Sequence, residues 1–168
     1  MLIRTEHSGD AAAIRRVIEL AFAEVVHSSK TEGAIVDALR TLDALSLSLV
    51  AEVGTDEMTI VGHAAFSPVK INGVDRGWYG LGPVSVHPDH QGHGIGIALI
   101  KHGMDELKAI GAKGCVVLGD PAYYRHAGFA PDAHLKLEGV PPAYFQCLPF
   151  GNEVPEGIVT YHHSFSGR

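Results

Sequence analysis

Cysteine is scarce here: Cys115 and Cys147 are the only two in 168 residues. That is too few for a disulfide framework, and both read as small buried thiols rather than as a bridge. Long apolar runs are missing too. No stretch approaches the roughly 20 apolar residues of a membrane span, and Met1-Leu2-Ile3-Arg4-Thr5-Glu6 lacks the apolar core of a signal peptide. Basic residues are in deficit, with 13 Lys and Arg against 19 Asp and Glu and a formal net charge of −6. That balance argues against nucleic acid as a partner, and a negative surface favours a cationic substrate such as an amine. The expectation is a cytoplasmic protein that binds neither membrane nor nucleic acid. With no internal repeat or low-complexity segment, the length predicts one domain over 1–168 with a proper core.

Two phosphate-binding fingerprints are absent as well. The segment Gln91-Gly92-His93-Gly94-Ile95-Gly96 does not satisfy G-x-G-x-x-G from Gly92 or from Gly94, and no Gly-Lys pair follows it. What is present is three glycines at a spacing of two, between the apolar run Leu81–Val86 and the helix-forming Ile97–Lys101. A plain strand-to-helix turn has no need of three glycines, since each costs roughly 1 kcal/mol in a helix. A helix that opens on such a loop leaves backbone N–H groups aimed at one spot, which is a phosphate site.

Periodicity places the other elements. Leu2–Thr5 reads as a short strand. Asp10 is positioned to cap a helix carrying Ile14, Val17, Ile18, Ala21, Phe22 and Val25 at helical spacing. Ser29 and Glu32 stand in capping-box register for a second helix with Ile35, Val36 and Leu39 inward. Alternation from Leu45 to Val53 predicts a half-buried strand. Thr59–Ile71 and the run ending at Val86 follow through turns at Gly54–Glu57 and Asn72-Gly73, giving an antiparallel meander. The helix after the glycine loop ends near Ile110 at Gly111, and Gly114–Leu118 reads as a strand buried on both faces. Strand, helix, strand implies a parallel crossover. A short helix at about Tyr123–Ala127 and a final pair of strands, the last near Val159–Phe165, close the chain. Pro141-Pro142 and Pro149–Pro155 are loops.

Gln91, Gly94 and Gly96 fit Q/R-x-x-G-x-G/A, and Tyr124 lies four residues before Gly128-Phe129. Together these motifs resemble the coenzyme A loop and the tyrosine-x-x-x-Gly-Phe element of the GNAT superfamily of N-acetyltransferases. Gly62–Val69, Leu81-Gly82-Pro83 and Gly119-Asp120-Pro121 look like one bacterial branch of it. The resemblance covers most of the chain. It implies an α/β (α+β) acyl-CoA N-acyltransferase fold with a mixed sheet, splayed parallel central strands and about four helices. It implies acetyl-CoA as co-substrate and an amine as acceptor, acetylated by direct attack. The implied coenzyme contacts are Gln91, Gly92, His93, Gly94, Ile95 and Gly96 at the pyrophosphate, Val84, Ser85 and Val86 along the pantetheine, and Gly119, Asp120 and Tyr124 beyond it. Main-chain groups of Val84–Val86 would bond the pantetheine like an added strand, and an N–H near Val86 would face the thioester oxygen.

Tyr124 is the implied catalytic acid. A phenol (pKa about 10) can protonate or hydrogen-bond a departing thiolate (about 8.5). Tyr123 reads as a packing residue. One departure stands out: some members carry a glutamate base on the strand before the glycine loop, where Gly80 stands here. A protonated amine, with a pKa of about 10.4 if it resembles lysine, must lose its proton before attack. Glu32, acting through a water, is the candidate base, against the alternative that it only caps its helix; His63 and His27 are further candidates. His87, His90 and His93 form H-x-x-H-x-x-H, but the phosphate role already explains that segment and no metal is expected. His162 and His163 are expected on opposite faces of a strand. A non-catalytic acyl-CoA-binding or sensing domain stays open as the alternative function, and so does a homodimer.

Overall fold

The chain is described by a computed structural model over residues 1–166. The meander forms as its turns predict. β2 (Leu47–Val53), β3 (Thr59–Ile71) and β4 (Val74–Val86) run antiparallel in series, and β1 (Leu2–Thr5) flanks β2. The helix α3 (Ile95–Ala109) then crosses over to β5 (Gly114–Leu118), which pairs in parallel with β4. The order along the sheet is β1-β2-β3-β4-β5-β7, with β7 spanning Phe145–Pro149. A short parallel pair, β6 (Leu135–Lys136) and β8 (Gly157–Thr160), attaches through β8 to the end of β3.

Helices cover both faces. Phe66, Leu99, Leu107, Val117 and Phe129 fill the α3 side. On the other side α1 (Ala11–Phe22) and α2 (Glu32–Thr41) bury Ile14, Ile18 and Val36 against Val50 and Ala65. Because both faces are covered, Leu49, Val50 and Ala51 are all buried, and β2 is not the half-buried strand its alternation suggests. Trp78, Val116, Phe145 and Val159 make a further cluster at the β5/β7/β8 end. Cys115 and Cys147 are free and buried, as expected.

Both predicted caps fail, for electrostatic and geometric reasons. Asp10 occupies the α1 N-cap but makes no side-chain cap bond. Its carboxylate instead accepts from Arg4 Nη1 (2.7 Å) and from the His7 amide (2.6 Å), and a guanidinium is the stronger partner. Helix α1 stops at Phe22, so Val25 is exposed. Lys30, with φ 63°, donates its ammonium to the carbonyls of Phe22 (2.6 Å) and Val25 (2.8 Å), a cation at a helix C-terminus. That turn moves the start of α2 to Glu32, with Thr31 as N-cap. Ser29 and Glu32 therefore form no capping box; the Glu32 carboxylate accepts from Ser28 Oγ at 2.8 and 2.6 Å.

Three further expectations change. The short helix is α4 (Pro121–Tyr124), continued by a 3-10 turn over Arg125–Ala127. The last strand ends at Thr160, and His163–Ser166 form a 3-10 turn. His162 and His163 consequently do not point to opposite faces; their rings stack with centroids 4.1 Å apart.

Candidate active site

Where β4 leaves β5 decides the site. The β4–β5 register covers only Trp78–Leu81 against Gly114–Val117. Immediately beyond it the β3–β4 register slips, so that Gly82 and Pro83 stand opposite Ala65 alone. Two residues against one make a bulge, which bends a strand and re-aims it. From there to Val86 the β5-facing edge of β4 is open. The His87 amide donates to the Val61 carbonyl (2.8 Å). By antiparallel alternation Ser85 bonds across to His63, while Val84 and Val86 turn their N–H and C=O groups to the open edge. The Val86 carbonyl is held there by Gln91 Nε2 at 3.0 Å.

The glycine loop follows. Pro88–His90 form a 3-10 turn in which His87 Nδ1 accepts from the Asp89 amide (3.1 Å). Gly92 (φ 79°) and Gly94 (φ 80°) are both left-handed, a conformation that β-branched or bulky residues resist. Gly94 is the N-cap of α3, and no acidic residue lies in the first turn. The first amides of this 15-residue helix have no helical partner and face the loop. The space around Gly94 is open, so its requirement is backbone conformation. At Gly96 it is proximity, since a Cβ would collide with the Tyr123 hydroxyl. A cleft of about 320 Å³ joins the loop, Val84, Val86 and both tyrosines.

Tyr124 is set by its own local structure. The Asp120 carboxylate caps α4 by accepting from the Ala122 amide (2.9 Å), and Gly128, at φ 97°, ends the turn before buried Phe129. The Tyr124 ring meets Tyr123 and Phe129 edge-on, at 5.0 and 6.2 Å. Burial pushes its pKa up to about 12, with Tyr123 and Asp120 adding to the effect. The phenol therefore stays protonated, as a donor must. Tyr124 and Val84 also line a second cleft of about 680 Å³ on the α2 side, with Glu32, Leu118, Tyr161 and His162. The two clefts meet across these two residues.

Residues 45–131 match the Acetyltransferase (GNAT) domain family. The uncharacterized N-acetyltransferase YhbS of Escherichia coli K12 is 35% identical over 172 residues, covering 99% of each chain. The chain belongs to the GNAT acetyltransferases. Among solved structures, a GNAT acetyltransferase from Brucella melitensis in complex with acetyl-CoA is 52% identical, covers 98% of this chain and 97% of its own, and superposes with a TM-score of 0.86. The CoA complex of Escherichia coli YhbS is 33% identical, with 98% and 91% covered and a TM-score of 0.89.

Within this GNAT fold the residues singled out from sequence separate into groups. Gln91, Gly92, Gly94, Ile95, Gly96, Val84, Val86 and Tyr124 come together around the first cleft. Ser85 does not, because strand alternation turns its side chain to the α1/α2 face, where its hydroxyl is buried without a partner. His93 and Asp120 are exposed and lie outside the cleft lining, as does Gly119, whose carbonyl accepts from Gln146 Nε2 (3.0 Å). Glu32 reaches the second cleft; His27 and His63 do not. His63 is buried with Nε2 on Ser48 Oγ (2.8 Å), and Ser48 in turn donates to Glu6, itself paired with Arg40. Desolvation pushes the His63 pKa down to about 4. Among the described residues no group of three His, Cys, Asp or Glu side chains is placed to hold a metal ion.

Tyr161 was not anticipated. Its ring lies over Gly80, where a Cβ would come within 2.7 Å of Cε2, and its hydroxyl is buried without a partner. Burial raises its pKa. The missing strand carboxylate thus has a steric explanation: an aromatic ring from the chain's last segment fills the position. An aromatic 81 residues downstream gives no local signal of this. His162 Nδ1 accepts from the Ser164 amide (3.1 Å), and burial together with His163 lowers its pKa.

Proposed function

We propose that residues 1–168, of which 167 and 168 lie outside the described residues, act as a single cytoplasmic N-acetyltransferase domain. It moves the acetyl group of acetyl-CoA to a primary amine by direct attack. The observation that carries this reading is the meeting of two clefts at Val84 and Tyr124: one has the glycine loop and the α3 N-terminus at its far end, the other a carboxylate. The complexes of the Brucella relative with acetyl-CoA and of YhbS with CoA support the same assignment.

The geometry supports the following roles. Amides of the Gly92–Gly96 loop and the α3 N-terminus receive the pyrophosphate. The open-edge groups of Val84 and Val86 bond the pantetheine as an added strand would, and an open-edge N–H at the Val84 end, where the two clefts meet, faces the thioester oxygen, where charge develops. Glu32 takes a proton from the ammonium through a water. The neutral nitrogen then forms the C–N bond as the C–S bond breaks; Tyr124 gives its proton to the departing thiolate, and the second proton lost by the nitrogen, passed through water, restores the phenol. No acetyl-cysteine is involved: Cys115 is buried in β5 and burial raises its thiol pKa.

Initial-rate kinetics with both substrates varied, together with intact-protein mass spectrometry, test the direct transfer. Intersecting lines and an unmodified chain are expected. Parallel lines with an acetylated chain would overturn it.

A further inference from the structure

The second cleft continues past the reacting centre. It shares Leu137, Glu138 and Ile158 with an adjoining cavity of about 670 Å³ beneath β6 and β8, walled by Leu135, Val140 and Phe145. Leu118 and Ile158 stand 45% and 41% exposed at the mouth, large aliphatic surface that the fold leaves uncovered. The charge pattern is one-sided. The cleft is lined by the carboxylates of Glu32 and Glu138, by His162, and by no Lys or Arg among the described residues. Among the described residues that line the adjoining cavity Lys136 is the one cation, with Glu138 and Asp132 as its carboxylates, and the Asp132 carboxylate is already engaged by the ring (2.6 Å) and amide (2.9 Å) of His134.

We propose that the acceptor is a primary amine on an uncharged alkyl or arylalkyl chain, long enough to pass from Tyr124 into the cavity beneath β6 and β8. This rests on the acetyl-transfer reading above. Each part of the chemistry has its own reason. The ammonium is complementary to Glu32. A carboxylate or phosphate on the acceptor would be desolvated in the cleft with no cation to pair it. A second ammonium far along the chain would meet Lys136 as well as Glu138 and would lose its water among Leu135, Val140 and Phe145. An uncharged chain gains from every methylene it buries, about fourfold in affinity for each.

Isothermal titration of ethylamine, butylamine, octylamine, 4-phenylbutylamine, spermidine and phenylalanine against the CoA-loaded protein reads the cleft without requiring turnover. Affinity is expected to rise about 10²-fold or more from butylamine to octylamine, with spermidine and phenylalanine at least tenfold weaker than 4-phenylbutylamine. Ala143 lines the adjoining cavity and not the reacting cleft. Ala143→Trp, which fills that cavity, should cut the octylamine-to-butylamine ratio by about tenfold. Equal affinities along the series, or tighter binding of spermidine or phenylalanine, would overturn the proposal. Thiol release with the same amines and acetyl-CoA in place of CoA separates the two readings. Octylamine that binds without releasing thiol would contradict acetyl transfer and leave the cleft's preference for a long chain standing.

Discussion

The ring of Tyr161 occupies the space above Gly80, leaving only 2.7 Å between its Cε2 and any Cβ built there. Val69 Cγ1, at 3.0 Å from the same point, closes the other side. A member of this family that lacks the strand carboxylate has therefore not merely lost a side chain. It has packed an aromatic residue from after β8 against the same strand, and the proton of the acceptor must leave by another route.

Restoring the carboxylate should consequently fail. Gly80→Glu is expected to destabilise the fold by about 1–3 kcal/mol through overpacking, read as a lower urea midpoint, and to lower activity. Pairing it with Tyr161→Ala should recover part of the stability. A single Gly80→Glu variant as stable as the parent would show that the ring yields easily and that the steric account is wrong.

Tyr124→Phe should leave acetyl-CoA binding nearly unchanged and reduce kcat by about 10²-fold, the scale of one general acid. With the phenol pKa pushed to about 12, Tyr124 remains protonated across the working range. Any alkaline limb in the rate profile below pH 10 must then belong to another group. Unaltered kcat in Tyr124→Phe would remove the residue from the chemistry.

Glu32 has lost its competing explanation as half of a capping box, because α2 begins at Glu32 itself and Ser28, not Ser29, donates to the carboxylate. Glu32→Gln should slow the reaction at neutral pH and recover as pH rises toward the amine's own pKa, where no base is needed. A pH–rate profile parallel to that of the parent would assign the proton to water alone.

The first elements of the sheet and the coenzyme-side loop were legible in the sequence, because both are written in short-range pattern. Turn signals gave the meander, and three glycines before an apolar helical repeat gave the loop. The acceptor side was not legible, since it is assembled from distant pieces. Phe22, Glu32, Leu118, Leu137 and Tyr161 line one cleft although no spacing connects them. Gly82-Pro83, which opens β4 from β5, carried a readable signal: glycine and proline inside a strand pattern mark a bulge. The failed caps show a different limit. Asp10 has the right residue type at the right place, and Arg4, held also by Glu52 (2.7 Å), takes its carboxylate.

His63 links acid stability to the chain His63–Ser48–Glu6–Arg40, which runs from the buried His63 and Ser48 to the half-buried Glu6 and Arg40. Its folded pKa of about 4 lies below its ordinary 6.5, so the unfolded chain binds the proton first. Stability is then full above about pH 6.5 and falls on the order of 3 kcal/mol as pH drops to about 4. Glu6 is held below its usual value by Arg40 and Ser48, against the opposing effect of its burial, and adds a further loss at lower pH. His63→Gln should flatten the decline between pH 6.5 and 4 in urea titrations. An equally steep decline in that variant would place the titrating group elsewhere.

The central claim is that two clefts meeting at Val84 and Tyr124 bring a thioester and an amine together. Its most direct test is thiol release from acetyl-CoA in the presence of 4-phenylbutylamine, with the amine product followed by mass spectrometry. The account predicts one N-acetylated amine for each thiol released, at a rate far above hydrolysis without amine. Saturating acetyl-CoA that raises the melting temperature, yet yields no thiol above that background with this or any other amine of the series, would contradict it and leave a coenzyme-binding domain.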